Sequence, residues 1–181
     1  GFNYVLQEVA KTLLGNYFEE SASWYPEEIK LLAVEQQVET IVSVPVGNES
    51  WSIRMKGRID RLDLKGGSVL RIVDYKTGKV DKNNVILKDW NGLTNDIKND
   101  KIIQVLAYAF MYEEQTKGQE MEAGIISFKN LKSGFLPFQF KQDKDVIATI
   151  SGEIMENYLE QIVILLQEIL NKDVPFEEKI N

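Results

Sequence analysis

The chain has 181 residues, with 28 acidic and 21 basic side chains and a formal net charge of −7. It contains no cysteine and no histidine, which excludes disulfides, thiolate and imidazole metal sites and the commonest general base. Any catalysis must rest on carboxylates, lysine, hydroxyls or a metal held by oxygen, and the acidic balance argues against a nucleic-acid binder unless its basic surface is local or belongs to a partner.

This length predicts one domain, residues 1–181, able to bury a sizeable core. No signal peptide or long uncharged apolar run is present, so no membrane association is expected and the default location is cytoplasmic. The start at Gly1-Phe2-Asn3, without an initiator Met, suggests a piece of a larger chain.

Residues 3–20 carry Val5, Leu6, Val9, Leu13, Leu14, Tyr17 and Phe18 at helical spacing, and Ser21 to Pro26 breaks that helix. From about Leu31 to Val46 the pattern is that of a strand, ending near Pro45 and the Gly47-Asn48 turn. Trp51–Leu64 and Val69–Tyr75 form a hairpin around Lys65-Gly66-Gly67, where paired glycines supply the backbone freedom of a tight turn. Lys79–Asp100 is polar and predicts a long loop, of the kind that is usually functional or disordered.

Asp100–Lys117 is apolar on nearly every side, which predicts a buried helix closed by Gly118. Its exceptions, Gln104 and Tyr108, are four apart and share a face. Ala123–Lys129 and Phe135–Phe140 predict a second hairpin, with Pro137 marking an edge strand. Asp143–Asn171 predicts a long helix whose core stripe is Ile147, Ile150, Ile154, Tyr158, Ile162, Leu165, Leu166 and Ile169. The order α-β-β-β-α-β-β-α implies an α/β (α+β) domain, a mixed sheet flanked by helices.

The anomaly lies in the first hairpin. Period-two alternation puts Leu70, Ile72, Asp74 and Lys76 on one face, so a carboxylate and an ammonium extend an apolar stripe. Buried charges are costly unless paired or bound to metal. The first strand brings Asp60 to the same region. Two hard carboxylates from adjacent strands suit Mg²⁺ or Mn²⁺, and Lys76 is placed to contact a phosphate and to position or deprotonate a water. Asp63, close to the turn, is expected to pair with Arg61 or Lys65.

Gly57-Arg58-Ile59-Asp60-Arg61-Leu62-Asp63, then Asp74-Tyr75-Lys76-Thr77-Gly78-Lys79, then Gln104-Val105-Leu106-Ala107-Tyr108 resembles the three-part signature of RecB-like and AddB-like nuclease domains in the PD-(D/E)XK superfamily. The likeness covers roughly residues 30–130. It implies a restriction-endonuclease-like core, with Asp60 and Asp74 as ligands of Mg²⁺ or Mn²⁺ and Lys76 as the catalytic lysine. Gln104 and Tyr108 would frame the site, and Glu35 on the preceding strand matches a further acidic ligand. Arg58, Arg61, Thr77 and Lys79, which lie within these motifs beside the acidic residues and the lysine, become candidate substrate contacts. The resemblance further implies a DNA exonuclease acting in end processing or recombinational repair beside a helicase subunit or helicase-like domain.

Two departures stand out. Many such domains carry a metal-ligating histidine upstream in a G-x-x-x-H context, and this chain has none; Glu19 or Glu20 is a weak substitute. Some relatives also end in a cysteine cluster behind a Pro-Phe-like tail, and this chain stops just after Val174-Pro175-Phe176. These departures keep open a catalytically inactive domain that binds DNA or docks a subunit. Lys76-Thr77-Gly78 also matches the K-T-G element of penicillin-recognising enzymes, but no serine here has lysine three residues on.

Overall fold

The computed structural model describes residues 2–24, 28–116, 118–142, 145–173 and 175, and for residues 2–6 the backbone alone. Pro26, Lys117, Asp143, Val174 and Phe176, on which parts of the sequence reading fall, lie outside the described residues, as do the side chains of Val5 and Leu6. The first elements are α1 (Phe2–Trp24), β1 (Ile29–Val46), β2 (Glu49–Lys65) and β3 (Val69–Lys76). There follow β4 (Ile86–Leu87), α2 (Asp100–Thr116), β5 (Met121–Ser127), β6 (Phe135–Pro137), β7 (Gln139–Gln142), β8 (Asp145–Ile147) and α3 (Gly152–Leu170).

A five-stranded sheet of order β1-β2-β3-β5-β6 is antiparallel except for β3 and β5, which run parallel with α2 as the crossover between them. The predicted mixed sheet flanked by helices is therefore the architecture found. Parallel neighbours need such a crossover, and an apolar helix supplies one that covers the sheet. Between β2 and β3 the turn holds Gly66 at φ 59° and Gly67 at φ 74°, a left-handed backbone that favours glycine. β6 is an edge strand, as Pro137 predicts.

The main core lies between the sheet and α2 with α3. It contains Ile59, Leu62, Leu70, Ile72, Ile102, Val105, Leu106, Ile125, Ile154 and Tyr158. A smaller cluster on the opposite face gathers Tyr17, Val73, Ile126 and Leu131 beneath α1. Gly57 is where α2 comes closest to β2. A Cβ there would stand 3.0 Å from both Tyr108 Cε1 and Met111 Cε, so glycine opens the space that Tyr108 occupies.

Four expectations need correction. The Lys79–Asp100 segment is not an open loop: it folds into three 3₁₀ turns and β4, and it buries Val80, Val85, Leu87 and Leu93. Its apolar residues follow no helix or strand period because each fills a separate gap in the core. Phe135–Phe140 is two strands, since β7 leaves the main sheet and pairs with β4 and β8 in a three-stranded one. Asp145–Ile147 is strand, and α3 begins at Gly152, capped by Ser151 Oγ accepting the Ile154 N–H at 3.3 Å. The α1 stripe is largely outward: Val9, Leu14 and Phe18 are exposed, whereas Tyr17 is buried.

Candidate active site

The site forms where β2 and β3 part. Their pairing runs from Lys65↔Val69 to Arg61↔Val73 and stops there. Just beyond, the Tyr75 backbone N–H donates to Asp60 Oδ2 at 2.8 Å, so the Asp60 side chain takes over where the ladder ends. Asp60 is thereby fixed beside Asp74, close enough for the two charges to repel.

Asp74 is 3 % exposed. Burial pushes its carboxyl above the ordinary carboxylate range, and Asp60 adds to the rise. Lys76, through its close approach and charge, pulls partly the other way. Lys76 Nζ stands 2.9 Å from Asp74 Oδ2, but that buried oxygen receives no aligned hydrogen bond. Lys76 Nζ also donates to Gln104 Oε1 at 2.5 Å, and Gln104 Nε2 donates to the Tyr108 hydroxyl at 3.0 Å. Asp74, Lys76, Gln104 and Tyr108 thus form one continuous chain of contacts from the sheet to α2. Lys76 remains 28 % exposed at its side chain, so the ammonium is both held and reachable.

The end of β3 is clamped from the other side by residues the sequence reading passed over. Buried Ser127 Oγ donates to the Gly78 carbonyl at 2.8 Å and accepts the Val80 N–H at 3.1 Å. Asn130 Nδ2 donates to the Val80 carbonyl at 2.8 Å, and the Phe128 N–H donates to the Lys76 carbonyl at 2.9 Å. A lone hydroxyl at the end of the apolar run Gly124-Ile125-Ile126-Ser127 was the available signal.

The remaining candidates separate. Glu35 pairs with Arg58 at 2.7 Å on the exposed surface, and no group of three or more potential metal-binding side chains forms among the described residues. Glu35 therefore does not join Asp60 and Asp74. Its backbone is left-handed, at φ 53°. Arg61 turns to the α1 face, where Nη1 donates to the hydroxyls of Tyr17 (2.9 Å) and Tyr75 (3.3 Å) and Nε pairs with Asp63 at 2.7 Å. Its guanidinium is held there by Asp63 and the two tyrosine hydroxyls. Asp63 does pair with Arg61, as expected, but also takes a two-pronged bond from buried Arg71 at 2.7 and 3.0 Å. Thr77 and Lys79 are exposed beyond Lys76, with Lys79 3.1 Å from Asp81.

The residues present fit a hard divalent cation. Asp60 and Asp74 offer paired carboxylates, one with a buried oxygen that has the Lys76 ammonium at 2.9 Å but no aligned hydrogen bond, and water or substrate oxygens complete the shell of such an ion. Two aspartates and a lysine thus meet at the parting of two strands, framed by a glutamine and a tyrosine from the crossover helix. The family model described as the PD-(D/E)XK nuclease superfamily matches residues 3–180, and the chain belongs to that superfamily.

No curated protein matches the sequence. A solved structure titled "Crystal structure of SSO0001" aligns at 17 % identity with a TM-score of 0.32, over 91 % of this chain. This chain spans 61 % of that structure's length, and the likeness is too loose to assign any role. No described helix is long and apolar enough to cross a membrane.

Proposed function

We propose that this chain is a metal-dependent deoxyribonuclease that hydrolyses phosphodiester bonds at DNA ends. The observation that carries this reading is the buried Asp74 carboxylate, beside Asp60 and in line with a lysine held by Gln104. When bound on Asp60 and Asp74, Mg²⁺ or Mn²⁺ supplies charge neutralisation at the phosphate and acidifies a water.

The chain's own residues do the rest. Lys76 presents a fixed ammonium to a non-bridging phosphate oxygen, where negative charge grows as the water attacks. Gln104 restrains that ammonium through its amide oxygen, and Tyr108 fixes the amide's orientation by accepting from its nitrogen. Asp60 ties the site to the β3 backbone through Tyr75. The motif order supports a RecB-like or AddB-like domain acting as an exonuclease on strands delivered by a helicase partner, in end processing or recombinational repair.

The test incubates the protein with single-stranded DNA and Mg²⁺ or Mn²⁺ beside Lys76→Ala. The variant is expected to lose about 10²–10³-fold in rate, as when a transition-state donor is removed. Equal degradation by both would overturn the assignment. Calorimetry with Mn²⁺ checks the carboxylates separately: heat that persists unchanged in Asp74→Ala, or no heat at all, favours an inactive DNA-binding or docking domain.

A further inference from the structure

Only Arg61–Lys65 of β2 pair with β3, whereas β1 and β2 pair with each other out to Val46↔Glu49, so the two strands extend beyond the shared sheet as an arm. The inner face of the arm is covered: Val38, Val42 and Val44 are buried, and α2 and α3 contact β1. The outer face is bare. Along β2 every second residue from Ser50 to Arg58 is exposed, and so is every second residue of β1 from Gln37 to Pro45.

That outer face has a definite chemistry. Arg54, Lys56 and Arg58 stand in one row at alternate positions, about 6.8 Å apart by strand geometry. Arg58 is drawn aside by Glu35, but among the described residues neither Arg54 nor Lys56 has an ion pair. Glu39 lies opposite Lys56 in register without pairing to it. Further out, Ser43 and Ser50 share a hydroxyl contact at 2.6 Å and Ser52 lies opposite Ser43, so the far part of the face is small and hydroxyl-lined. A chain carrying −7 overall thus keeps a local row of cations with serines beyond it, the side chains that take phosphate oxygens in nucleic-acid complexes.

We propose that this outer face is a track for the phosphate backbone of a nucleic-acid strand, with Arg54 and Lys56 as its unpaired contacts. The row on β2 leads through Arg58 to Asp60, two residues further on. From Arg54 that is about 20 Å along β2, to the point where its alternation slips and a bound strand passes from the outer face toward the α2 face, on which Asp74 and Lys76 stand. This rests on the nuclease reading for the direction of travel, but the binding surface itself does not require cleavage.

The test measures binding of a fluorescent single-stranded oligonucleotide in EDTA across a range of salt, for the wild type and Arg54→Gln/Lys56→Gln. Both residues are exposed, and matched thermal unfolding confirms an intact fold. The double variant is expected to bind at least about tenfold more weakly at low salt, with the slope of log K against log salt shallower by about 1.4, that is, two single-strand phosphate contacts. Hydrolysis of bis(p-nitrophenyl) phosphate, too small to reach the arm, stays unchanged. An unaltered affinity and slope overturn the track. Tighter binding of polyglutamate than of the oligonucleotide, lost in the same variant, assigns the face to an acidic protein and overturns it too. If the wild type binds through these residues but cuts nothing, the track stands and the nuclease reading fails.

Discussion

The two faces of the β2–β3 pair carry the same kinds of charge and treat them in different ways. On the α1 face, Asp63 is fully buried and saturated, with two bonds from Arg71 and an ion pair from Arg61 at 2.7–3.0 Å. Arg61 in turn meets the hydroxyls of Tyr17 and Tyr75, and Arg71 lies 5.0 Å over the Phe135 ring. On the α2 face, Asp74 is almost as buried, but it has one lysine, a like-charged neighbour and an oxygen without an aligned hydrogen bond. Opposite faces of one strand pair thus hold their carboxylates in different ways. Each cluster has one buried ion-pair atom without an aligned hydrogen bond, Arg61 Nε and Asp74 Oδ2, but only Asp63 has two guanidinium groups to offset its charge.

The largest effect is expected on the α1 face. Asp63→Ala removes the buried carboxylate that Arg71 and Arg61 share, a change that costs about 3–5 kcal/mol. Urea unfolding measures it. A loss below about 1 kcal/mol would mean that water reaches Arg71, and the contrast between the faces would collapse.

The α2 face should respond with the opposite sign. Because the folded state raises the Asp74 carboxyl above its unfolded value, the native protein binds that proton more tightly. Its stability is then full below the ordinary carboxylate range and falls as pH rises through the raised value. Asp74→Asn removes the buried charge, so it should stabilise the metal-free protein at pH 7 by about 1 kcal/mol, or about 2–4 °C in Tm. That gain should vanish at low pH while cleavage is lost at every pH. A variant less stable than wild type at pH 7 would show that the Lys76 pair outweighs burial.

Tyr75→Phe tests how far the two faces are independent. It deletes a hydroxyl shared by Arg61 and Tyr17 but leaves the backbone N–H that holds Asp60. A loss of about 1 kcal/mol with little change in cleavage rate is expected. A rate that falls tenfold or more would show that the α1 cluster positions the site strand, and the separation would need redrawing.

What could be read from the sequence follows the same division. Period two was enough to place Asp74 and Lys76 together, and four-residue spacing put Gln104 and Tyr108 on one helix face. The Arg61 side chain could not be placed that way, because the alternation slips along β2. Gly57 and Ile59 point to α2, then Leu62 and Leu64 do, leaving Arg61 on the far side. Nothing local in Ile59-Asp60-Arg61-Leu62 announces that slip. It depends on where β3 leaves, which is also why Asp60 was expected as a metal ligand and its bond to the Tyr75 N–H went unforeseen. The 79–100 segment was missed for a related reason: Val80, Val85, Leu87 and Leu93 fill gaps set by other elements and follow no period of their own.

Glu35 sits at the same slip on the partner strand, where Val38, Val42 and Val44 face inward on one side and Ala33 packs inward on the other. Its φ of 53° is where the face of β1 changes. Glu35→Gly should therefore be nearly neutral for stability, because three small effects offset. Glycine relieves a left-handed strain of about 1–2 kcal/mol but adds about 0.5–1 kcal/mol of unfolded-state entropy, and losing the exposed pair with Arg58 costs about 0.2–1 kcal/mol. The net change should lie within about 0.5 kcal/mol, with cleavage retained. Strand binding should tighten at low salt, since Arg58 is released to the outer row, with the salt slope steeper by about 0.7. A loss of cleavage comparable to that of Asp74→Asn would instead bring Glu35 into the metal site, and the exposed pair with Arg58 would then be a resting arrangement that opens when the ion binds.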